Sequence, residues 1–177
     1  MNKNNFVFEV YSEQAAVYYG KHTSVCGEVV VLATEKGVCG LHFLDKSLAY
    51  YLHLAEKKFD VLPVHAPSYT QDWWQRSHQA AATLSLVVQG TAFQRKVWQS
   101  LCTIPVGTTV SYQALATQLG LPQAARAVAS AIAQNFIALL IPCHRVVRQN
   151  GQIGGYRWGV QNKITLLKRE KDATLLE

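Results

Sequence analysis

Cys143 and His144 are the residues of this chain best suited to chemistry, and they lie in the run Ile141-Pro142-Cys143-His144-Arg145-Val146-Val147. A free thiol with a pKa near ~8.5 is only a few per cent ionised at neutral pH, and apolar surroundings raise that value unless a base or cation stands close. His144 offers the base and Arg145 the cation. The pairing predicts a nucleophilic cysteine. A buried structural cysteine ahead of a basic turn is the alternative that these residues leave open.

The rest of the chain must hold that segment in place. A length of 177 residues, 49% hydrophobic and 16% charged, suits one domain or two small ones with a real core. Long apolar runs are broken by Gln, Asn, Ser or His, which argues against a membrane span. Met1–Asn5 lacks the apolar centre of a secretory signal, so a cytoplasmic protein is expected. The cysteines Cys26, Cys39, Cys102 and Cys143 form no C-x-x-C pair, and only His22 stands at ligand-like spacing, before Cys26. Reduced thiols are expected, with no metal, no cofactor and no disulfide framework.

Charge is unevenly placed. Residues 1–89 carry seven Lys/Arg against eight Asp/Glu, whereas residues 90–177 carry ten against three. A basic second half predicts a polyanionic partner, nucleic acid foremost. Lys163, Lys168, Arg169 and Lys171 read as solubility charge on a C-terminal helix, which leaves Arg126, Arg145, Arg148 and Arg157 to be explained.

Residues 1–89 read as a small α/β domain. Strands are predicted at Phe6–Tyr11 and Ala16–Lys21, and a hairpin at Glu28–Thr34 and Val38–Leu44 around Glu35-Lys36-Gly37. Helical spacing predicts Leu48–Phe59 and Gln71–Leu86, separated by the Pro-containing stretch Leu62–Ser68. His42, His53, His65 and His78 read as ordinary surface or core residues. Gln89-Gly90-Thr91 is taken as the boundary to a second domain, 90–177. There Thr91 caps a helix Ala92–Leu101, Ser111 caps a second, and Gly120-Leu121-Pro122 turns into a third, Gln123–Gln134. Helices joined by a short Gly-containing turn in a basic half predict a helix-turn-helix. Arg126 is the only charged side chain between Val97 and His144, among Ala124, Ala125, Ala127 and Ala129. Such a helix can press closely on DNA, and its arginine can fill the space of an extruded base. An interior helix with Arg126 at its exposed edge is the alternative.

Taken together, these residues resemble the O6-alkylguanine-DNA alkyltransferase family. The likeness runs from Gly90 to Glu170 through Gly90-Thr91-Ala92-Phe93-Gln94, Val97-Trp98, Ile104-Pro105, Ser111-Tyr112, Leu115-Ala116, Arg126-Ala127-Val128, Asn135, Pro142-Cys143-His144-Arg145-Val146, Gly155-Tyr156 and Leu166-Leu167. It is strongest toward the C-terminal alkyltransferase part of the bacterial adaptive-response protein. The resemblance implies a ribonuclease-H-like N-terminal domain with a small antiparallel sheet, then a mostly α winged-helix domain. That domain would enter the minor groove of double-stranded DNA as a monomer, flip out O6-alkylguanine (or O4-alkylthymine) and transfer the alkyl group irreversibly to Cys143.

The resemblance also implies roles. His144 relays the thiol proton through a water, and Glu170 orients His144. Asn135 pins the turn before Cys143. Tyr112 donates to N3 and crowds the phosphate. The carbonyls of Cys143 and Val146 read the exocyclic amine, the Arg157 amide faces O6, and Tyr156 borders the base. Arg126, Ala125 and Ala127 line the DNA face with Tyr112. Two departures stand out: Asn135 is followed by Phe136 where many relatives have proline, and Trp158 replaces a glycine found in relatives with roomy pockets. A non-catalytic DNA-binding relative would lack the thiol. A helix-turn-helix regulator would show base-reading polar residues on its third helix. A Cys-His peptidase would place its histidine far from the cysteine.

Overall fold

The computed structural model describes residues 5–79 and 82–174. Contacts within the chain divide it into two units. One holds the described residues up to Gln89 together with Phe136–Ala138; the other holds Gly90–Asn135 and the described residues from Leu139 onward.

The first unit runs β1 (Asn5–Val10), β2 (Tyr18–Ser24), β3 (Gly27–Thr34), β4 (Gly37–Phe43), α1 (Leu48–Phe59), β5 (Val64–His65), α2 (Pro67–Arg76) and β6 (Thr83–Val88). Its sheet has the order β1-β6-β4-β3-β2-β5. Only β2/β3 and β3/β4 pair antiparallel; β1/β6, β4/β6 and β2/β5 are parallel. The sheet is therefore mixed, not the antiparallel one expected. The reason is β6, which Thr83-Leu84-Ser85-Leu86-Val87-Val88 forms where a helix over Gln71–Leu86 was expected. β-branched residues and alternating burial suit a central strand, and Leu84 and Leu86 are fully buried. The helix stops at Arg76, having started at Pro67, whose fixed φ suits a first turn; residues 80 and 81 of that expected helix lie outside the described residues. β2 also begins two residues later than expected, and the hairpin turn is Glu35-Lys36, with Gly37 already in β4. A Cβ at Gly37 would lie 2.2 Å from the Ser85 carbonyl oxygen, so β4 can meet β6 only with glycine there.

α1 starts at Ser47, whose hydroxyl accepts from the Tyr50 N–H, and ends at Asp60 in the left-handed region. Its buried stripe, Tyr51, Ala55 and Phe59, packs toward the core of Tyr11, Val17, Leu32, Cys39, Val87 and Phe136. Phe136 enters that core because the chain after Asn135 returns to β4: Leu41 N–H donates to the Phe136 carbonyl (3.0 Å), and Ala138 N–H donates to the Leu41 carbonyl (2.9 Å). Phe136 thus fills a core position. His42 is an ordinary core residue, its ring edge-on to Phe136 at 4.2 Å. His22 Nε2 lies 2.9 Å from the Thr70 hydroxyl.

The second unit contains α3 (Ala92–Cys102), β7 (Val110–Ser111), α4 (Tyr112–Gln118), a 3₁₀ turn at Pro122–Ala124, α5 (Ala125–Ala133), a second 3₁₀ turn at Cys143–Arg145, β8 (Val146–Val147) and α6 (Val160–Thr174). Thr91 and Gln94 form a reciprocal capping box at the start of α3. A Cβ at Gly90 would lie 2.7 Å from the Trp98 ring, which explains the glycine before that cap. The Ser111 hydroxyl accepts from Ala114 N–H at α4. Gly120 takes the left-handed turn, and Leu121 N–H reaches back to the Ala116 carbonyl. The expected third helix, Gln123–Gln134, is split: Pro122 opens a 3₁₀ turn and α-helix begins only at Ala125. α5 buries Val128, Ala131 and Ile132, and the Trp98 indole donates to the Ala131 carbonyl at 2.9 Å. Among the described residues no helix is long and apolar enough to cross a membrane.

Candidate active site

Every polar group around Cys143 comes from the second unit. The backbone folds tightly before it: Leu139 is left-handed (φ 64°), and Cys143 N–H donates to the Ile141 carbonyl at 2.7 Å. The 3₁₀ turn then places three successive side chains, Cys143, His144 and Arg145, all in buried positions. Asn135, the residue after the C-cap of α5, is 1% exposed and its amide donates both to the Ile141 carbonyl (3.1 Å) and to Cys143 Sγ (3.2 Å). Asn135 therefore joins the end of α5 to the turn before Cys143 and also touches the sulfur itself.

His144 is fully buried, and its Nε2 lies 2.8 Å from Glu170 Oε1. A carboxylate only accepts, so Nε2 carries the proton and Nδ1 is the free basic nitrogen. Among the described residues Nδ1 has no hydrogen-bond partner. Burial lowers the His144 pKa against the upward pull of Glu170, so the imidazole is neutral and able to accept a proton.

Glu170 serves a second partner. Arg145 Nε and Nη2 bond its two oxygens at 3.0 and 2.9 Å, while Gly107 N–H donates to Oε2 at 3.3 Å. Burial alone would raise this carboxyl, but the hydrogen bonds of His144 and Arg145, with the Arg145 charge, reverse that and hold it at about 2. Arg145 also donates to the Ile104 carbonyl at 2.6 Å. It is thus used internally, contrary to its expected share in the basic surface.

Lys163 is the residue that sequence reasoning misplaced. Instead of solubility charge it is a fully buried cation whose Nζ donates to the Val146 carbonyl at 2.6 Å. Its spacing offered a signal: Lys163, Leu166 and Glu170 are i, i+3 and i+7 on α6, one buried face. Burial raises the Cys143 thiol to about 11, and the Asn135 amide, the Lys163 charge and the Tyr156 hydroxyl oppose that rise. The resting sulfur is therefore a protonated thiol, less ionised at neutral pH than a free cysteine.

Of the other expected residues, Tyr112 and Tyr156 lie within electrostatic or hydrogen-bonding reach of Cys143. Tyr112 starts α4, half-buried, and burial followed by the Cys143 charge raises its pKa. Gly154 passes over it, since a Cβ there would lie 3.0 Å from the Tyr112 hydroxyl. The Val146 carbonyl is already accepting from Lys163, and the Cys143 carbonyl from Val146 N–H, leaving each one further lone pair. Tyr156 and Trp158 form an edge-on ring pair at 5.3 Å, with Trp158 2% exposed. The Arg157 guanidinium donates at 3.4 and 3.5 Å to the Ala133 and Asn135 carbonyls at the end of α5. Arg126 and Ala127 are exposed in the first turn of α5, and Ala125 is partly buried. Among the described residues no cluster of three metal-binding side chains occurs.

The sequence profile of the 6-O-methylguanine DNA methyltransferase DNA-binding domain matches residues 92–172. The crystal structure of the O6-methylguanine methyltransferase of Mycobacterium tuberculosis superposes with a TM-score of 0.71 at 31% identity, over 91% of this chain and 99% of that one. The chain belongs to the O6-methylguanine-DNA methyltransferase family. A further crystal structure, M. tuberculosis OGT in complex with DNA, gives a TM-score of 0.70 at 31% identity over 90% and 99% of the two chains. The regulatory protein Ada of Salmonella typhimurium is 42% identical over 174 residues, 92% of this chain and 48% of its own. The chain spans about half the length of the curated relatives it matches.

Proposed function

We propose that this chain repairs DNA by moving the alkyl group from O6 of guanine, or O4 of thymine, to Cys143, once per molecule. The observation that carries this reading is the buried sulfur held by Asn135, next to a histidine whose tautomer Glu170 sets. Transfer from a saturated carbon needs a soft nucleophile. The sulfur attacks the alkyl carbon in line, the carbon–oxygen bond breaks, and the electron pair stays on O6. The thiol proton passes through one water to His144 Nδ1, and Glu170 stabilises the imidazolium that results.

The departing guanine anion needs donors. The Tyr112 hydroxyl serves N3, and the Arg157 amide serves O6. Tyr156 borders the base, and the Cys143 and Val146 carbonyls read its amine. α4 and α5 act as the helix-turn-helix of a winged-helix domain (90–177), with β7 and β8 at the wing and a ribonuclease-H-like domain before it (1–89). Arg126 enters the minor groove of double-stranded DNA as the base leaves the stack, with Ala125 and Ala127 allowing close approach. The protein acts as a monomer in the reducing cytoplasm, without a cofactor. The product thioether is a poor leaving group, so the protein is not regenerated.

Incubation with duplex DNA carrying labelled O6-methylguanine tests the reading. One label per chain is expected on Cys143 and none on a folded Cys143→Ser variant; label on another residue, or none on the wild type, rejects it. Trp158 limits the pocket. In Trp158→Gly the ratio of benzyl to methyl transfer rates should rise by about tenfold or more. An unchanged ratio removes Trp158 from the pocket wall.

A further inference from the structure

From Asp72 the chain runs to Glu170 without one Asp or Glu. Glu170 is committed to His144 and Arg145, so cations on the surface of the second unit face almost no local negative charge. Several of its basic side chains are nonetheless engaged. Arg145 and Lys163 are buried in the active site, Arg95 donates to the Gly90 carbonyl, and Arg157 caps α5. Arg148 is different. It is exposed, and among the described residues its guanidinium makes no hydrogen bond or ion pair.

Its position is fixed by strand register. β7 and β8 run parallel with Val110 opposite Val146 and Ser111 opposite Val147, so Tyr112 and Arg148 leave the last rung side by side. The backbone of Arg148 is held at both ends: its N–H donates to the Gln152 carbonyl, and its carbonyl accepts from Gly151 N–H, each at 2.9 Å. Gly151 is left-handed (φ 77°), which closes this turn. The Arg148 charge is felt at the Tyr112 hydroxyl, where it partly offsets the upward push of burial and of Cys143. An unneutralised guanidinium on a fixed backbone, beside the residue expected to crowd the DNA backbone, matches a phosphate in charge and in donor geometry.

We propose that Arg148 takes a backbone phosphate of the strand under repair, next to the nucleotide that Tyr112 displaces. This rests on the alkyltransferase reading above. Arg126 would act inside the duplex and Arg148 outside it, so the two make separable contributions.

The test measures duplex binding across salt, with reaction of O6-methylguanine in duplex and as free base, for wild type, Arg148→Gln and Arg148→Lys. Arg148→Gln should bind about three- to tenfold more weakly and lower the slope of log affinity against log salt by about one. Its duplex reaction should fall by at least threefold more than its free-base reaction, and Arg148→Lys should regain most of the slope. An unchanged slope, equal losses on duplex and free base, or a lysine variant no better than glutamine overturns the proposal. A wild type that takes no label from either substrate would instead reject the alkyltransferase reading itself.

Discussion

Glu170→Gln is expected to lower the rate of alkyl transfer by about 10²–10³-fold and to remove about 3–5 kcal/mol of stability. Both losses come from one carboxylate. Glutamine no longer dictates that His144 Nε2 keeps its proton, so the basic nitrogen can face the wrong way, and the imidazolium loses its counter-charge. Arg145, 8% exposed, is left as a buried cation without its partner. The displacement of the Glu170 pKa from 4.5 to about 2, at about 1.4 kcal/mol per unit, is itself worth about 3 kcal/mol. Because the folded pKa is depressed, that stability is present above about pH 4.5 and is lost as pH falls toward 2. His144 acts in the same direction at milder acidity: buried neutral, it resists the protonation that the unfolded chain accepts below about pH 6.5. Urea titrations between pH 7 and 2.5 should therefore show a steep acid decline in wild type and a flatter one below pH 4.5 in Glu170→Gln. A variant as stable and as fast as wild type would break the link between the histidine and its carboxylate.

Lys163→Met should slow transfer at neutral pH by about ten- to a hundredfold while changing stability much less. Methionine nearly matches the lysine stem in length and removes a buried cation, which offsets the loss of the Val146 hydrogen bond, itself about 1–3 kcal/mol. What disappears without replacement is positive charge near the sulfur, so the thiol rises further above about 11. Single-turnover rates of the variant should lie below those of wild type throughout pH 7 to 10, while both rise with pH as more thiolate forms. If the rate and its pH profile stay in place, Lys163 is only a strut for β8.

Much of the second unit was legible in the sequence because its signals are local. Thr91, Ser111 and Gly120 announce helix ends through backbone bonding that three or four residues decide. Cys143, His144 and Asn135 stand within nine residues of one another and meet in one turn. Lys163 escaped because its neighbours Lys168, Arg169 and Lys171 suggested a solvated face, although Leu166 and Glu170 shared its stripe. The dual partnership of Glu170 was hidden because Arg145 could equally have faced solvent; only tertiary packing turns it inward. In the first unit, Thr83–Val88 failed as a helix because its spacing fits either period, and the parallel neighbours that make it a strand lie far away in sequence. The same non-local pairing made the sheet mixed.

The burial of Cys143 also bears on how such a protein lasts. On the alkyltransferase reading proposed above, the nucleophile is used once and must stay intact until a lesion arrives, against peroxide and small electrophiles that attack any available thiolate. Burial holds the thiol well above the ordinary cysteine range, so little thiolate is present, and 4% exposure leaves little room for attack. The low resting reactivity of the site is thus a form of chemical storage, released by the base that fits it.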